Sequence, residues 1–186
     1  MINNVPPGIE IFDNVFTDSD KYLNNILSLN PKWLTGKVVK KAEDTEDLQT
    51  RTTQVLDLEK NDKNCLSEMN KLYTEFTNQS KPYIDNYLGK NNVFILDKES
   101  PLLFKYDIGG EFKKHIDDSP YTPRTVSLLY YFNDDYDGGE LEFIKFNFKI
   151  KPSPKQLILF PSNFMYEHCV YPVTSGLRYS IVQFMH

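Results

Sequence analysis

The sequence has few of the features that mark disulfide-rich, nucleic-acid-binding or membrane-spanning proteins. Its two cysteines allow one disulfide at most, which excludes a secreted disulfide framework. Lysine and arginine total 21 against 26 acidic residues, so the broad positive field of a non-specific nucleic-acid or anionic-membrane binder is absent. Apolar runs are far shorter than the roughly 20 residues of a membrane-spanning helix, and the first ten residues lack a signal-peptide pattern. We therefore expect a cytoplasmic protein with no nucleic-acid partner and no membrane partner.

No internal repeat, low-complexity tract or Gly/Ser linker marks a domain boundary, so residues 1–186 are predicted to form a single domain. Within it, residues 1–100 are predicted to form a supporting part with one strand near Ile9 and Ile11 and two helices, the second ending near Gly89. The polar stretch from Thr35 to Gln54 predicts a long loop or irregular hairpin, and we interpret it as a candidate lid.

From residue 101 onward, short apolar or alternating segments are separated by glycine, proline and aspartate turns. The predicted strands are Leu102 to Ile108, Lys113 to Ile116, Arg124 to Phe132, Glu140 to Ile144, Phe148 to Ile150, Leu157 to Phe160, Tyr166 to Val170 and Leu177 to Met185. Strands without intervening helices indicate an antiparallel sandwich or jelly roll. The fold class is therefore mainly β with flanking N-terminal α-helices, and residues 101–186 carry the core.

The chain has only three histidines, and two of them suggest a metal site. His115 and Asp117 are two residues apart, a spacing that places both side chains on one face of a strand, and His168 follows 53 residues later. Two imidazoles and one carboxylate form the facial triad of non-haem Fe(II) oxygenases, which leaves positions open for a cosubstrate and O2. Hydrolytic zinc fits less well because no separate base is evident. The third histidine, His186, is the last residue and is expected to be frayed.

Arg178 lies in the last predicted strand, where it shares a face with Ser180, Val182 and Phe184. An arginine that points into a β-barrel is costly unless it meets an anion. A dicarboxylate such as 2-oxoglutarate, chelating iron at one end, would supply that anion at the other end. Arg178 would then make a bidentate contact and the Ser180 hydroxyl would add a hydrogen bond.

Four stretches in this order resemble the 2-oxoglutarate and Fe(II)-dependent dioxygenases, in particular the prolyl 4-hydroxylase-like branch. They are Tyr106-Asp-Ile-Gly-Gly-Glu-Phe-Lys-Lys-His115-Ile-Asp117, Arg124-Thr-Val-Ser-Leu-Leu-Tyr-Tyr131-Phe-Asn, Asp137-Gly-Gly-Glu-Leu-Glu-Phe143 and His168-Cys-Val-Tyr-Pro-Val-Thr-Ser-Gly-Leu-Arg178-Tyr-Ser180. The resemblance spans Leu103 to Phe184, a little under half of the chain. It implies a double-stranded β-helix, the jelly roll predicted above.

The resemblance also implies roles for individual residues. It makes His115, Asp117 and His168 the Fe(II) ligands, and it makes Arg178 the residue that binds the remote carboxylate of 2-oxoglutarate. Its implied cosubstrates are 2-oxoglutarate and O2, with ascorbate as a candidate reductant. Tyr106 and Tyr131 match positions that support the cosubstrate in the family. Arg124 and Phe184 match positions that contact the substrate.

The implied reaction is hydroxylation of an unactivated C–H bond, coupled to decarboxylation of 2-oxoglutarate to succinate and CO2. A prolyl residue of a peptide or protein is one candidate substrate, and a free amino acid, small metabolite or nucleobase is the alternative. A noncatalytic cupin-like binding protein is the alternative from another class. Arg124 has a second interpretation as a rim residue paired with Asp118, Asp134 or Asp135. The acidic residues from Glu43 to Asp47 suggest a weak preference for basic substrates.

Overall fold

The computed structural model describes residues 4–40, 43–46, 50–57 and 65–186, and for residues 38–40, 43–46 and 57 it describes the backbone alone. The helices are α1 Ser19–Ser28 and α2 Leu66–Lys90. The strands before residue 100 are β1 Glu10–Phe12, β2 Leu34–Thr35, β3 Lys37–Lys40, β4 Glu43–Glu46 and β5 Gln54–Asp57. The later strands are β6 Leu102–Tyr106, β7 Phe112–His115, β8 Val126–Tyr131, β9 Asp137–Gly138, β10 Leu141–Phe143, β11 Phe148–Ile150, β12 Leu157–Pro161, β13 His168–Val170, β14 Val173–Ser175 and β15 Arg178–Met185. Short 3-10 helices cover Ile144–Phe146 and Phe164–Tyr166.

Two facing antiparallel sheets form the centre of the molecule. The major sheet has the order β1-β12-β8-β15-β6-β5-β2, and the minor sheet has the order β11-β10-β13-β7. The prediction of a mainly β chain with N-terminal helices is confirmed. Neither helix in the described ranges is long and apolar enough to cross a membrane.

Alternation along the central strands divides the apolar residues between two cores. On β8, Leu128 and Tyr130 belong to the core beneath the helices, whereas Leu129 and Tyr131 belong to the core between the sheets. This period of two follows from strand geometry, in which successive side chains point to opposite faces. Because both faces of β8 are covered, every residue of the strand is buried.

Helix α2 covers the outer face of the major sheet through an apolar stripe. Its buried apolar residues Met69, Leu72, Phe76, Ile84 and Tyr87 recur at intervals typical of an amphipathic helix. The helix continues through Pro82, which lies on the exposed side, where water can satisfy the backbone carbonyl that loses its partner.

The segment from Thr35 to Gln54 follows the hairpin alternative and not the long loop, because β3 and β4 pair as a hairpin, while residues 41–42 and 47–49 lie outside the described residues. Two points differ from expectation. Strand β5, which was not predicted, pairs with β6 and extends the major sheet. His186 is not frayed, because its backbone carbonyl accepts from Leu96 and its imidazole Nε2 lies 3.2 Å from Glu99 Oε1.

Candidate metal centre and its cavity

The two predicted metal-ligating histidines are brought together by strand pairing. His115 ends β7, His168 begins β13, and the two residues are direct antiparallel partners. Asp117 lies just beyond β7, with Oδ1 at 3.5 Å from His115 Nε2 and Oδ2 at 3.8 Å from His168 Nε2. One ligand atom from each residue lies within 4.8 Å of the other two. The cluster therefore offers two imidazole nitrogens and one carboxylate oxygen to a single ion. All three would bind on the same side of that ion.

Backbone hydrogen bonds fix the orientation of both imidazoles. Nδ1 of His115 lies 2.7 Å from the carbonyl of Lys113, and Nδ1 of His168 lies 3.0 Å from the carbonyl of Tyr166. A carbonyl only accepts, so both Nδ1 atoms carry the proton and donate. In the neutral imidazoles the lone pair is then on Nε2, the atom that faces Asp117. This is the arrangement expected of histidine metal ligands.

Asp117 is buried and held as a carboxylate. Burial alone would raise its pKa, but His168, His115 and the Ser127 hydroxyl outweigh that effect and hold the pKa of Asp117 well below its usual range. The Ser127 hydroxyl donates to Asp117 Oδ2 at 2.6 Å and lies 2.8 Å from the Ser162 hydroxyl. The carboxylate is therefore charged and oriented before any ion binds.

Aromatic rings surround both histidines. Burial, together with the neighbouring His115, lowers the pKa of His168 to about 4, so its imidazole is neutral at physiological pH and can ligate a metal. The ring centroids of Phe160 and Phe143 lie 5.1 and 5.8 Å from that of His168. The Phe112 ring stacks on His115 with centroids 3.5 Å apart. These rings pack against the two imidazoles and restrict their movement.

Arg178 is 2% exposed and is surrounded by hydroxyl groups without a carboxylate among its contacts in the described residues. It is the cross-strand partner of Tyr106, and its Cζ lies 4.5 Å from the Tyr106 ring and 4.9 Å from the Tyr131 ring. Its Nη1 donates weakly to Ser180 Oγ at 3.4 Å. Burial raises the pKa of both Tyr131 and Tyr136, so these phenols stay protonated and can donate.

The buried atoms around Arg178 fit an anionic ligand. Arg178 Nε and the hydroxyls of Tyr131 and Tyr136 are buried without a well-aligned hydrogen-bond partner among the residues described, although Arg178 is close enough to both phenols to oppose the rise in their pKa. Such atoms are costly unless a ligand meets them. Arg178, Ser180 and Tyr106 line the same cavity as the three metal ligands, whereas Tyr131 touches Arg178 without forming part of the cavity wall. A dicarboxylate that spans the metal and Arg178 is chemically compatible with this arrangement.

The cavity has a volume of about 1100 Å³ and includes both residues predicted to contact substrate. Arg124 donates to Glu99 from Nε at 2.6 Å and from Nη2 at 2.9 Å, and its Cζ lies 3.6 Å above the Phe184 ring. The predicted pairing of its side chain with Asp118, Asp134 or Asp135 is wrong, because Glu99 is its acidic partner. Asp118 instead accepts from the Arg124 backbone N–H at 3.0 Å.

Sequence reasoning did not identify Glu99, Ser127, Ser162 or Tyr136, and it assigned no role to Arg51, although Arg51 is one of only three arginines. Ser127 also carries a signal, because a single serine interrupts the apolar strand from Val126 to Tyr131. Arg51 and Glu99 lie in segments without periodicity, and their contacts come from residues distant in sequence. The roles predicted for the other site residues stay predictions, although the geometry places them around one cavity.

Known proteins resemble the second half of the chain. Residues 102–186 match the family model of the 2OG-Fe(II) oxygenase superfamily. A PKHD-type hydroxylase of Synechococcus sp. (strain CC9902) is 34% identical over 101 residues, which are 51% of this chain and 45% of that protein. A PKHD-type hydroxylase of Aliarcobacter butzleri (strain RM4018) is 34% identical over 127 residues, covering 59% of this chain and 54% of that protein. The chain thus spans about half the length of these curated relatives.

Solved structures share the fold. A prolyl hydroxylase from Trichoplax adhaerens, solved in complex with a hypoxia inducible factor oxygen degradation domain peptide fragment, superposes with a TM-score of 0.74 at 22% identity, covering 96% of this chain and 83% of that chain. A viral collagen prolyl hydroxylase from Paramecium Bursaria Chlorella virus-1, in its 2OG complex, gives a TM-score of 0.67 at 17% identity, covering 96% of this chain and 95% of that chain. The predicted jelly roll and the predicted resemblance are both confirmed.

Proposed function

We propose, from the premise that residues 102–186 belong to the 2OG-Fe(II) oxygenase superfamily, that the protein is a 2-oxoglutarate-dependent hydroxylase of the prolyl 4-hydroxylase-like type. The observation that carries the proposal is the convergence of His115, Asp117, His168 and Arg178 on one cavity. With Fe(II) and 2-oxoglutarate bound, such a site supplies O2-dependent hydroxylation of a C–H bond, with release of succinate and CO2.

The residues of this chain have distinct tasks in that reaction. His115, Asp117 and His168 would hold Fe(II), and the bonds from Nδ1 to backbone carbonyls keep each Nε2 directed at it. Arg178 and Ser180 would bind the remote carboxylate of 2-oxoglutarate, with Tyr106 beside them in the cavity wall and Tyr131 supporting Arg178 from behind it. The aromatic rings beside the histidines would keep water out of the closed site.

A prolyl residue within a peptide is the substrate class that we propose first. The cavity of about 1100 Å³ is larger than a five-carbon dicarboxylate needs, which leaves space for a peptide segment. The Arg124–Glu99 pair and Phe184 lie along the same wall and would contact that segment. Relatives described as hydroxylases, and neighbours described as prolyl hydroxylases, support this class. Residues 1–100 would support the core and supply the lid.

The proposal is tested by anaerobic titration of the purified chain with Fe(II) and 2-oxoglutarate. We expect a visible metal-to-ligand charge-transfer band and, after O2 is admitted, succinate. Asp117→Ala should lose both the band and turnover, because it removes one of three protein ligands. Asp118→Asn is the matched control, since Asp118 is the adjacent acid and contacts Arg124 instead of the metal cluster. A folded wild-type protein with neither band nor succinate would favour the noncatalytic binding protein.

The substrate class is tested separately, by mass spectrometry of proline-containing peptides after turnover. A mass increase of one oxygen atom on a prolyl residue supports the peptide proposal. Oxidation of free proline or another free metabolite, with all peptides unchanged, would replace it with the alternative.

A further inference from the structure

Arg51 is a buried cation that contacts no carboxylate among the residues that the structure describes. It is 7% exposed, its Nε donates to Thr53 Oγ1 at 2.5 Å, and its Nη1 donates to the Lys37 carbonyl at 2.8 Å. Its Nη2 is buried and has no hydrogen-bond partner among the residues that the structure describes. Both of its partners are neutral oxygens. Burial lowers the pKa of Arg51, and the charge of Asp117 offsets only part of that shift. Burying a guanidinium with no carboxylate in contact is costly, so the native arrangement favours a ligand that brings negative charge.

The position of Arg51 places this charge beside the metal centre. Its Cζ lies 4.3 Å from the Phe104 ring centroid and 4.8 Å from that of Phe112, and Phe112 stacks directly on His115. Gly36 makes this packing possible, because a Cβ at that position would lie 2.7 Å from Arg51 Nε. Arg51 is therefore a built part of the cavity wall, separated from a metal ligand by one aromatic ring.

The described cavity lining carries more positive than negative groups. Its charged residues are Lys37, Arg51, Arg124 and Arg178 on the positive side and Glu99 and Asp117 on the negative side. Arg124 is paired with Glu99, Asp117 belongs to the proposed metal site, and Arg178 belongs to the proposed cosubstrate site. In the described part of the chain, no acidic side chain forms an ion pair with Lys37 or Arg51. This excess is local, because the whole chain has a net charge of −5.

We propose that the prime substrate carries a carboxylate that Arg51 and Lys37 recognise, while Arg178 binds 2-oxoglutarate. The inference rests on the proposed function and names its substrate class, namely a peptide with an acidic residue next to the hydroxylated residue. A free amino acid would present the same chemistry through its own carboxylate, and the experiment separates the two sources. Lys37, whose side chain is exposed, meets the anion first, and Arg51 supplies a fixed charge behind it. A preference for an acidic substrate is the opposite of the preference for basic substrates that the segment from Glu43 to Asp47 suggests. The side chains of that segment lie outside the described residues.

The test measures binding without turnover. The full chain is loaded with Mn(II) and saturating 2-oxoglutarate and is titrated with synthetic proline-centred pentapeptides that carry glutamate, glutamine or lysine beside the proline, and with free L-proline. Trp33, the single tryptophan, lines the cavity and reports binding through its fluorescence. We expect the glutamate peptide to bind at least tenfold more tightly than the glutamine peptide, and the lysine peptide to bind least tightly. Tight binding of free L-proline with equal affinity for all peptides would assign the carboxylate to a free amino acid.

Two variants assign the recognition to these residues. Lys37→Gln and Arg51→Gln should each reduce the glutamate-to-glutamine preference to less than threefold. Lys32→Gln is the matched control, because Lys32 is exposed, lies five residues from Lys37 and is not part of the cavity lining. Should Arg51→Gln fail to fold, judged by circular dichroism, Lys37→Gln decides the question, since its side chain is at the surface.

The inference is overturned if the wild-type protein binds no carboxylate probe or shows no preference for one. It is also overturned if the preference persists in Lys37→Gln together with every folded Arg51 variant. Failure of the proposed function would give a different result: the Fe(II) charge-transfer band and succinate would both be missing. The peptide preference is measured separately, with Mn(II) and without turnover.

Discussion

Ser127 connects Asp117, a proposed metal ligand, to the buried strand β8. Its hydroxyl donates to Asp117 Oδ2 and lies close to the Ser162 hydroxyl, and all three side chains are buried. A ligand held in this way loses little freedom when an ion binds, so part of the metal affinity resides in residues that never touch the metal. The backbone carbonyls behind His115 and His168 act in the same way.

Ser127→Ala should lower the affinity for Fe(II) about tenfold to a hundredfold, because Asp117 loses the hydrogen bond that orients it. The charge-transfer titration with saturating 2-oxoglutarate measures this change directly. Ser162→Ala is the control and should have a smaller effect, because Ser162 reaches Asp117 only through Ser127. Equal affinities in the wild-type protein and Ser127→Ala would contradict this role.

Among the elements, the tight turn after β9 determines where Arg178 lies. Gly139 has a φ of +64°, and a Cβ there would lie 2.9 Å from Tyr136 Cε2 and 3.0 Å from Arg178 Cδ. The position thus requires glycine twice, once for its backbone conformation and once for the close approach of the Arg178 side chain. The turn and the first residue of β15 are positioned together.

Gly139→Ala should weaken 2-oxoglutarate binding about tenfold and lower the free energy of unfolding by roughly 1–3 kcal/mol, because the new methyl group displaces Arg178. Gly109→Ala is the matched control, with a φ of +82° and open space around its Cβ position. It should show the backbone strain without the loss of cosubstrate affinity. Charge-transfer titration and urea unfolding measure the two quantities. A loss of affinity of the same size in both variants would contradict the proposed contact.

The segment from Thr35 to Gln54 is a second element with a consequence for the site. Thr35, Lys37, Thr50 and Arg51 line the cavity, so this segment forms part of its wall. Its predicted movement as a lid stays a prediction, and residues 41–42 and 47–49 lie outside the described ranges.

For the molecule as a whole, the major sheet separates a supporting core from a core that surrounds the site. Phe76 on α2 belongs to the first core and Phe143 on β10 to the second, and both are fully buried. The Phe143 ring also contacts Phe160 and His168. Packing in the second core is therefore coupled to the metal ligands, whereas packing beneath the helices contributes to stability alone.

Phe143→Leu and Phe76→Leu are a matched pair of substitutions that tests the different roles of the two cores. Each should lower the free energy of unfolding by roughly 1–2 kcal/mol, because each leaves a fully buried site underfilled. Only Phe143→Leu should also weaken Fe(II) binding, since it alone loosens the ring packing around His168. Urea unfolding and the charge-transfer titration measure the two effects, and equal iron affinities in both variants would refute the coupling.

The sequence by itself determined the strand-rich second half and both helices, and it singled out the three residues of the candidate metal centre and Arg178. It could do so because each depends on local patterns: alternation along strands, three- and four-residue spacing in helices, and the two-residue interval between His115 and Asp117. Arg178 was recognisable because an arginine on an inward face of a strand needs an anion.

Only the tertiary structure decided which distant residues complete the site. Arg124 pairs with Glu99 across 25 residues, Arg51 packs on Phe104 and Phe112, and Ser162 approaches Ser127 across 35 residues. These contacts depend on strand pairing between segments that are remote in sequence, and no periodic signal in either segment specifies its partner. The charge available to a substrate in the cavity depends on those pairings, because they decide which of the described cations are neutralised and which, like Arg51, contact no described carboxylate.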